Sequence, residues 1–392
     1  MDLLRTNALL LATLTTLTLG ACGDDGGADG DDGGTADDGG TADGTSGDCM
    51  ASGIEIDPLD VSGCEPAASD YTPQINASAD DMWPTCANDD ADYHPLEQPG
   101  SAARAEAFEM IRSIFAADLT PEAFTAAREQ YALDQGIESR TVRREDVHYP
   151  NIPDDEQDPT VDFDKQCTID ANVTNYPDRC AGPAKIAPII NDAFMKGQTG
   201  EGDPAVHAAR IDAAIAWFMY LSVFKEATFS CPPADYAGDC DAAWGYYNGG
   251  TGRTDGIGYA ADVTALSANA NDRVFDGLSA MRCWRDAYPA DMAGDTTDPL
   301  YTAGRDQLDR ANNHAAAIVV RDRLQTQLMA CGSDADANWA WVQTFGQGLI
   351  KPAQDTDAAL GATYTALLAN TTPTPEEIEA GIAALDGLFG CP

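Results

Sequence analysis

A mainly α fold, a helical bundle with a loop-rich, disulfide-stapled N-terminal extension, is predicted by three features of the sequence. Apolar residues beyond position 100 recur at spacings of three and four. Several of these stretches open on a capping side chain followed by Pro, the residue suited to the first helical turn. Few stretches alternate with period two and carry β-branched residues, so strands should be scarce.

The elements follow in order. Residues 102–119 place Phe108, Met110, Ile111, Ile114 and Phe115 on one helical stripe. Thr120-Pro121-Glu122 restarts a helix with a capping hydroxyl, a Pro and a first-turn acid. Residues 141–181 break the pattern with Arg143-Arg144-Glu145-Asp146, repeated Pro and many Asp, and read as a long loop pinned by Cys167 and Cys180. Ile186, Ile189, Ile190 and Phe194 resume the stripe. Asp203-Pro204 opens the longest apolar helix, through Trp217-Phe218-Met219-Tyr220-Leu221 to near Phe229. At helical rise it would be about 40 Å long, the central stave of a bundle. Further helices are predicted at 258–287, 299–330, 337–350, 355–369 and 375–389. Asp298-Pro299 is a cap-plus-Pro start and Thr374-Pro375-Glu376-Glu377 a capping box. Residues 49–100 carry Pro, Asp and Cys without a sustained stripe, and read as an extension packed onto a helical domain at 101–392.

Charge bounds the function. The 392 residues include 65 acids against 22 Lys plus Arg, a net charge of −43. That balance excludes a general nucleic-acid binder or a polybasic membrane-surface protein, which need clustered cations to face phosphates. A hydrophobic content of 44% excludes a wholly disordered chain.

The N-terminus reads as an address. Arg5 precedes an apolar run over residues 9–19 that ends in Leu19-Gly20-Ala21-Cys22. The box resembles a bacterial lipoprotein cleavage signal, which implies removal of residues 1–21 and a lipid on the Cys22 thiol. Two or three acyl chains make a stable anchor without a transmembrane helix. Residues 23–48 hold ten Gly and nine Asp, a composition that cannot pack and reads as an extended tether. Its Asp spacing does not match a calcium loop. The expected address is the bacterial cell envelope, extracytoplasmic and lipid-anchored, in the outer membrane in preference to the inner, with the membrane as partner, a protein or small-molecule partner left open, and no nucleic acid.

Of 11 cysteines, assigning Cys22 to the lipid leaves Cys49, Cys64, Cys86, Cys167, Cys180, Cys231, Cys240, Cys283, Cys331 and Cys391. An even set in an exported protein points to disulfides. The short loops favour Cys167–Cys180 and Cys231–Cys240 as local pairs. One of Cys49, Cys64 and Cys86 must pair outside that group.

Motifs for chemistry are sparse. His94-Pro95-Leu96-Glu97 fits H-x-x-E in an unsuitable loop. His207 and His314 sit amid Ala on helices as packing residues, and His148 sits in a charged loop cluster. Ser222-Val223-Phe224-Lys225 fits S-x-x-K without the accompanying Lys-Thr-Gly. The Asp-rich loop at 154–164 reads as solvated, with calcium binding as the alternative. The most distinctive cluster is Asp241-Ala242-Ala243-Trp244-Gly245-Tyr246-Tyr247-Asn248-Gly249-Gly250, after Cys240. Its aromatics and glycines suggest close backbone approach, either as a plug at one end of the bundle or as the wall of a ligand cleft.

A long helix leading into this Asp-x-Ala-aromatic-Gly-Tyr-aromatic stretch resembles helical envelope lipoproteins of the imelysin-like kind, over the layout of residues 185–370. The resemblance implies an envelope-anchored helical module, often found in iron-uptake settings. The family's H-x-x-E within an apolar helix is not reproduced, and Asp239-Cys240 stands where a charged or His residue often precedes the motif. Two functions are therefore carried forward. The first is a non-enzymatic binding or structural domain with no cofactor. The second is a module taking a metal ion or small ligand at Trp244, Tyr246 and Tyr247, with Asp239 and Asp241 as polar partners.

Overall fold

The computed structural model describes residues 56–96, 98–232, 238–287 and 296–392. The signal, Cys22, the tether, Cys49 and Glu97 of the H-x-x-E pattern lie outside the described residues. Among the described residues the regular structure is helical, with no strand, and these residues form one contact unit. No described helix is long and apolar enough to cross a membrane.

The helices are α1 (Ala102–Ala117), α2 (Pro121–Tyr131), α3 (Ile137–Thr141), α4 (Asp170–Asn175), α5 (Ala187–Thr199), α6 (Pro204–Lys225) and α7 (Gly238–Asn248). They continue with α8 (Tyr259–Leu266), α9 (Ala268–Asp286), α10 (Pro299–Met329), α11 (Gly332–Phe345), α12 (Ile350–Thr356), α13 (Ala358–Ala369) and α14 (Pro375–Phe389). Four starts follow the predicted chemistry. Thr120, Asp203 and Asp298 each accept a first-turn backbone N–H, and Thr374 with Glu377 forms the reciprocal capping box.

The central stave is α6, which packs against α5, α7 and α11. Every residue from Ala213 to Lys225 is buried, as expected of a helix that is apolar all round. It is 22 residues long, about 33 Å. The predicted run to Phe229 is corrected at its end, because Glu226–Ser230 widens into a π turn. The predicted helix at 258–287 is two helices, broken where Ser267 turns extended and its hydroxyl accepts from Ala270 N–H. The predicted helix at 337–350 begins earlier, at Gly332, and gives way to a 3-10 turn at Gly346–Leu349. The stretch 141–181 is mostly irregular, with a 3-10 turn at Phe163–Thr168 and the short α4. The aromatic-glycine cluster, in contrast, is helical, as α7.

Four disulfides are described: Cys64–Cys391, Cys86–Cys283, Cys167–Cys180 and Cys231–Cys240. The two short pairs match the expectation from loop length. Cys64 and Cys86 both reach outside the N-terminal group, across 327 and 197 residues. These long bridges clamp the extension onto α14 and α9. Its Tyr71, Trp83 and Tyr93 enter the main apolar core. The Tyr71 backbone exchanges two hydrogen bonds with the Gln307 side chain of α10, at 2.8 and 2.9 Å.

Candidate functional site

Five segments converge on a cavity of about 390 Å³. The start of α1 brings Ser101 and Arg104, and α3 with the turn after it brings Arg140, Arg143 and Arg144. The 3-10 turn at Phe163–Thr168 brings Asp164, the end of α6 brings Lys225 and Glu226, and α7 brings Asp239, Ala242 and Tyr246. The backbone is adapted to this meeting. Gly182 opens a second π turn, at Gly182–Ile186, and a Cβ there would lie 2.1 Å from the Thr141 carbonyl and 2.7 Å from Arg144. Its N–H donates to the Arg144 carbonyl at 2.9 Å. Gly245 lets α7 close on the start of α1, where a Cβ would lie 2.2 Å from Ser101 Oγ. Arg144 is therefore flanked by two π turns, a local widening that recurs at functional sites.

Arg144 is 3% exposed and donates from Nη1 to Glu226 Oε1 at 2.7 Å and from Nη2 to Tyr246 Oη at 3.3 Å. Its guanidinium lies over the rings of Phe218 and Tyr246, each 5.3 Å from the ring centre. Its Nε is buried without a partner. Burial pushes the Glu226 carboxyl up, but the Lys225 and Arg144 charges outweigh that and hold it down at about 2. Lys225 donates to Ser230 Oγ at 2.6 Å and lies 3.6 Å from both Asp164 and Glu226.

The remaining cations are less satisfied. Arg104, 6% exposed, donates from Nε to the Gln135 carbonyl at 3.1 Å. Burial, reinforced by the charges of Arg140 and Arg144, holds its guanidinium below the ordinary value. Arg140 reaches only Gln135 Oε1, at 3.5 Å. Among the described residues, Arg104, Arg140 and Arg143 have no carboxylate within ion-pair distance. Five cationic side chains thus face three carboxylates in a chain whose acids otherwise outnumber its bases. The third carboxylate, Asp239, makes no hydrogen bond or ion pair among the described residues. Burial, and after it the Glu226 charge, raises Asp239 to about 7.

The helical period of α7 sorts the sequence-derived candidates. Asp239, Ala242 and Tyr246, spaced three and four apart, share the strip that faces the cavity. Asp241, Trp244 and Tyr247 do not line it. Asp241 is fully buried, accepting from Arg282 Nη1 at 2.5 Å and from Leu96 N–H at 2.8 Å. Trp244 stacks on Tyr93 with ring centres 4.9 Å apart, and the Tyr247 hydroxyl donates to Asn271 at 3.0 Å. Of the site's arginines, the sequence marked only Arg143 and Arg144, as part of a charged loop, and nothing in it singled out Arg104 or Arg140.

The other motif residues, Lys225 apart, are placed elsewhere. The Ser222 hydroxyl donates to the Phe218 carbonyl at 2.6 Å within its own helix, while Lys225 turns to Ser230. His94 pairs with Asp90 at 2.9 Å, and buried His207 and His314 bond to backbone carbonyls at 2.6 Å. His148 borders a second cavity, of about 490 Å³, with Asp146 at 2.8 Å on one ring nitrogen and Asp309 at 3.1 Å on the other. Burial opposes its charge, but Asp146 foremost and Asp309 raise it to about 10, so both nitrogens donate at neutral pH. Among the described residues no three His, Cys, Asp or Glu side chains form a group that would hold a metal ion. Comparison of the chain with protein-family models, with curated proteins and with solved structures found no match.

Proposed function

We propose that this protein is a lipid-anchored, extracytoplasmic binding protein that captures a small oxyanion-bearing ligand in the pocket between α1, α3, α6 and α7. One observation carries the reading: three arginines without a carboxylate partner line one cavity of a chain with 65 acids and 22 basic residues. Such a chain has acids to spare for pairing, and Arg104, 6% exposed, is a desolvated cation left without one, which is costly unless something else satisfies it. The guanidinium fork matches carboxylate and phosphate oxygens in a way a lysine does not. The overall negative charge opposes an approaching anion only over about 8 Å at physiological ionic strength, so the local cations govern the final contact. Supporting the anchor are the Leu19-Gly20-Ala21-Cys22 box and the Gly/Asp-rich segment after it.

Calorimetric titration with phosphate, sulfate and citrate in a chloride background tests the pocket. At least one of these should bind, and Arg104→Ala with Arg140→Ala should weaken it by tenfold or more. Absence of binding by all three, or an unchanged affinity in the double variant, would overturn the reading. For the anchor, mass spectrometry of the mature N-terminus should find diacylglycerol on Cys22; an unmodified thiol there would remove that part.

A further inference from the structure

We infer that the pocket takes its anion together with one proton, and that Asp239 is the specificity-determining residue that holds it. This rests on the anion-binding reading above. Of the three carboxylates on the wall, Glu226 is committed to Arg144 at 2.7 Å and Asp164 lies 3.6 Å from Lys225. Asp239 alone has no such partner among the described residues. The charged groups facing it are Lys225 and Glu226 from α6 and its π turn, Asp164 from the 3-10 turn, and Arg144 from the turn after α3. Across the cavity stand Arg104, Arg140 and Arg143, and Tyr246 shares the strip of α7. No histidine lines the cavity.

An oxyanion entering this space adds a negative charge beside Asp239, which like-charge repulsion then favours in its protonated form. The protonated carboxyl changes from a repelling acceptor into an O–H donor to the anion. Its proton comes from solvent, with no other bond made or broken. Burial and the Glu226 charge already place Asp239 near pH 7, so the uptake falls in the neutral range. The chemistry discriminates between oxyanions. Sulfate brings no proton and depends on the one on Asp239. Monohydrogen phosphate brings its own, and donates it to an ionised Asp239.

The test is calorimetric titration of the full chain with sodium sulfate and with sodium phosphate from pH 6 to pH 9. Ionic strength is held constant, and two buffers of different ionisation enthalpy report the protons taken up. Sulfate affinity should fall about tenfold per pH unit above Asp239's titration, with uptake approaching one proton. Phosphate affinity should change by less than about threefold between pH 8 and pH 9. Asp239→Asn, a near-isosteric change whose folding is checked by thermal melting, should make the sulfate profile flat. A flat sulfate profile in the unsubstituted protein, or the same slope in Asp239→Asn, overturns the proton coupling while leaving the anion site standing. Failure of sulfate and phosphate to bind even at pH 6 overturns the proton coupling, and failure of citrate as well overturns the anion site itself.

Discussion

Arg144→Met should lower the stability of the domain by about 3–5 kcal/mol, the usual cost of removing one member of a buried ion pair. The loss comes from what remains: Glu226, 9% exposed, stays at the pocket floor without its 2.7 Å partner. Lys225, 3.6 Å away, compensates in part, so the lower end of the range is expected. Thermal melting should register a fall of roughly 5–10 °C. The double variant Arg144→Met, Glu226→Leu should recover most of it, because a buried ion pair replaced by apolar residues of similar size is often near neutral. Melting that is unchanged in the single variant would show the pair to be solvated. The pH dependence has a defined sign. Glu226 is depressed on folding, so its contribution is present above the ordinary carboxylate range and is lost as pH falls toward about 2. In Arg144→Met that acid-side stability should begin to disappear at higher pH.

Replacing Cys64 and Cys391 together by Ser should cost about 2–5 kcal/mol and free the N-terminal extension for proteolysis. The bridge closes a span of 327 residues, and its loss returns entropy to the unfolded chain. The same change at Cys167 and Cys180, 13 residues apart, should cost less in the chain-entropy account. Limited proteolysis with fragment mass spectrometry would locate new cuts within residues 56–96. Resistance equal to that of the unsubstituted protein would mean that the remaining Cys86–Cys283 bridge, with Trp83, Tyr71 and the Asp70–Arg310 pair, holds the extension without Cys64–Cys391.

Much of the bundle was legible because its signals are local. Thr120, Asp203, Asp298 and Thr374 announce helix starts through chemistry contained within four residues, and each is a working cap. The short disulfides were legible for the same reason, since loop length alone favours them. The elements that were misread depend on partners distant in sequence. The π turn at Glu226–Ser230 has no sequence signature, and it alters the end of a helix otherwise predicted to continue. The α7 segment reads as an aromatic-glycine cluster because it is buried on nearly every side, which removes the polar face that would mark it as helical. Most of the site was hidden for a further reason. Arg104, Arg140, Lys225 and Asp239 acquire a common purpose only when four helices meet. Of the candidates drawn from the sequence, Asp239 and Tyr246 line the cavity, and which side of α7 they occupy depended on a helix that the sequence did not announce.

The Cys64–Cys391 bridge also bears on how the domain withstands damage. It joins a point near the start of the described chain to the penultimate residue, so nearly the whole body lies inside one covalent ring. A protease that severs any single peptide bond between these cysteines opens the ring without dividing the molecule. Both pieces remain joined to everything upstream of Cys64, and the cut domain is not shed until the disulfide is reduced. For a chain held through its N-terminal side, as proposed above, that converts a first cleavage from a release event into a nick.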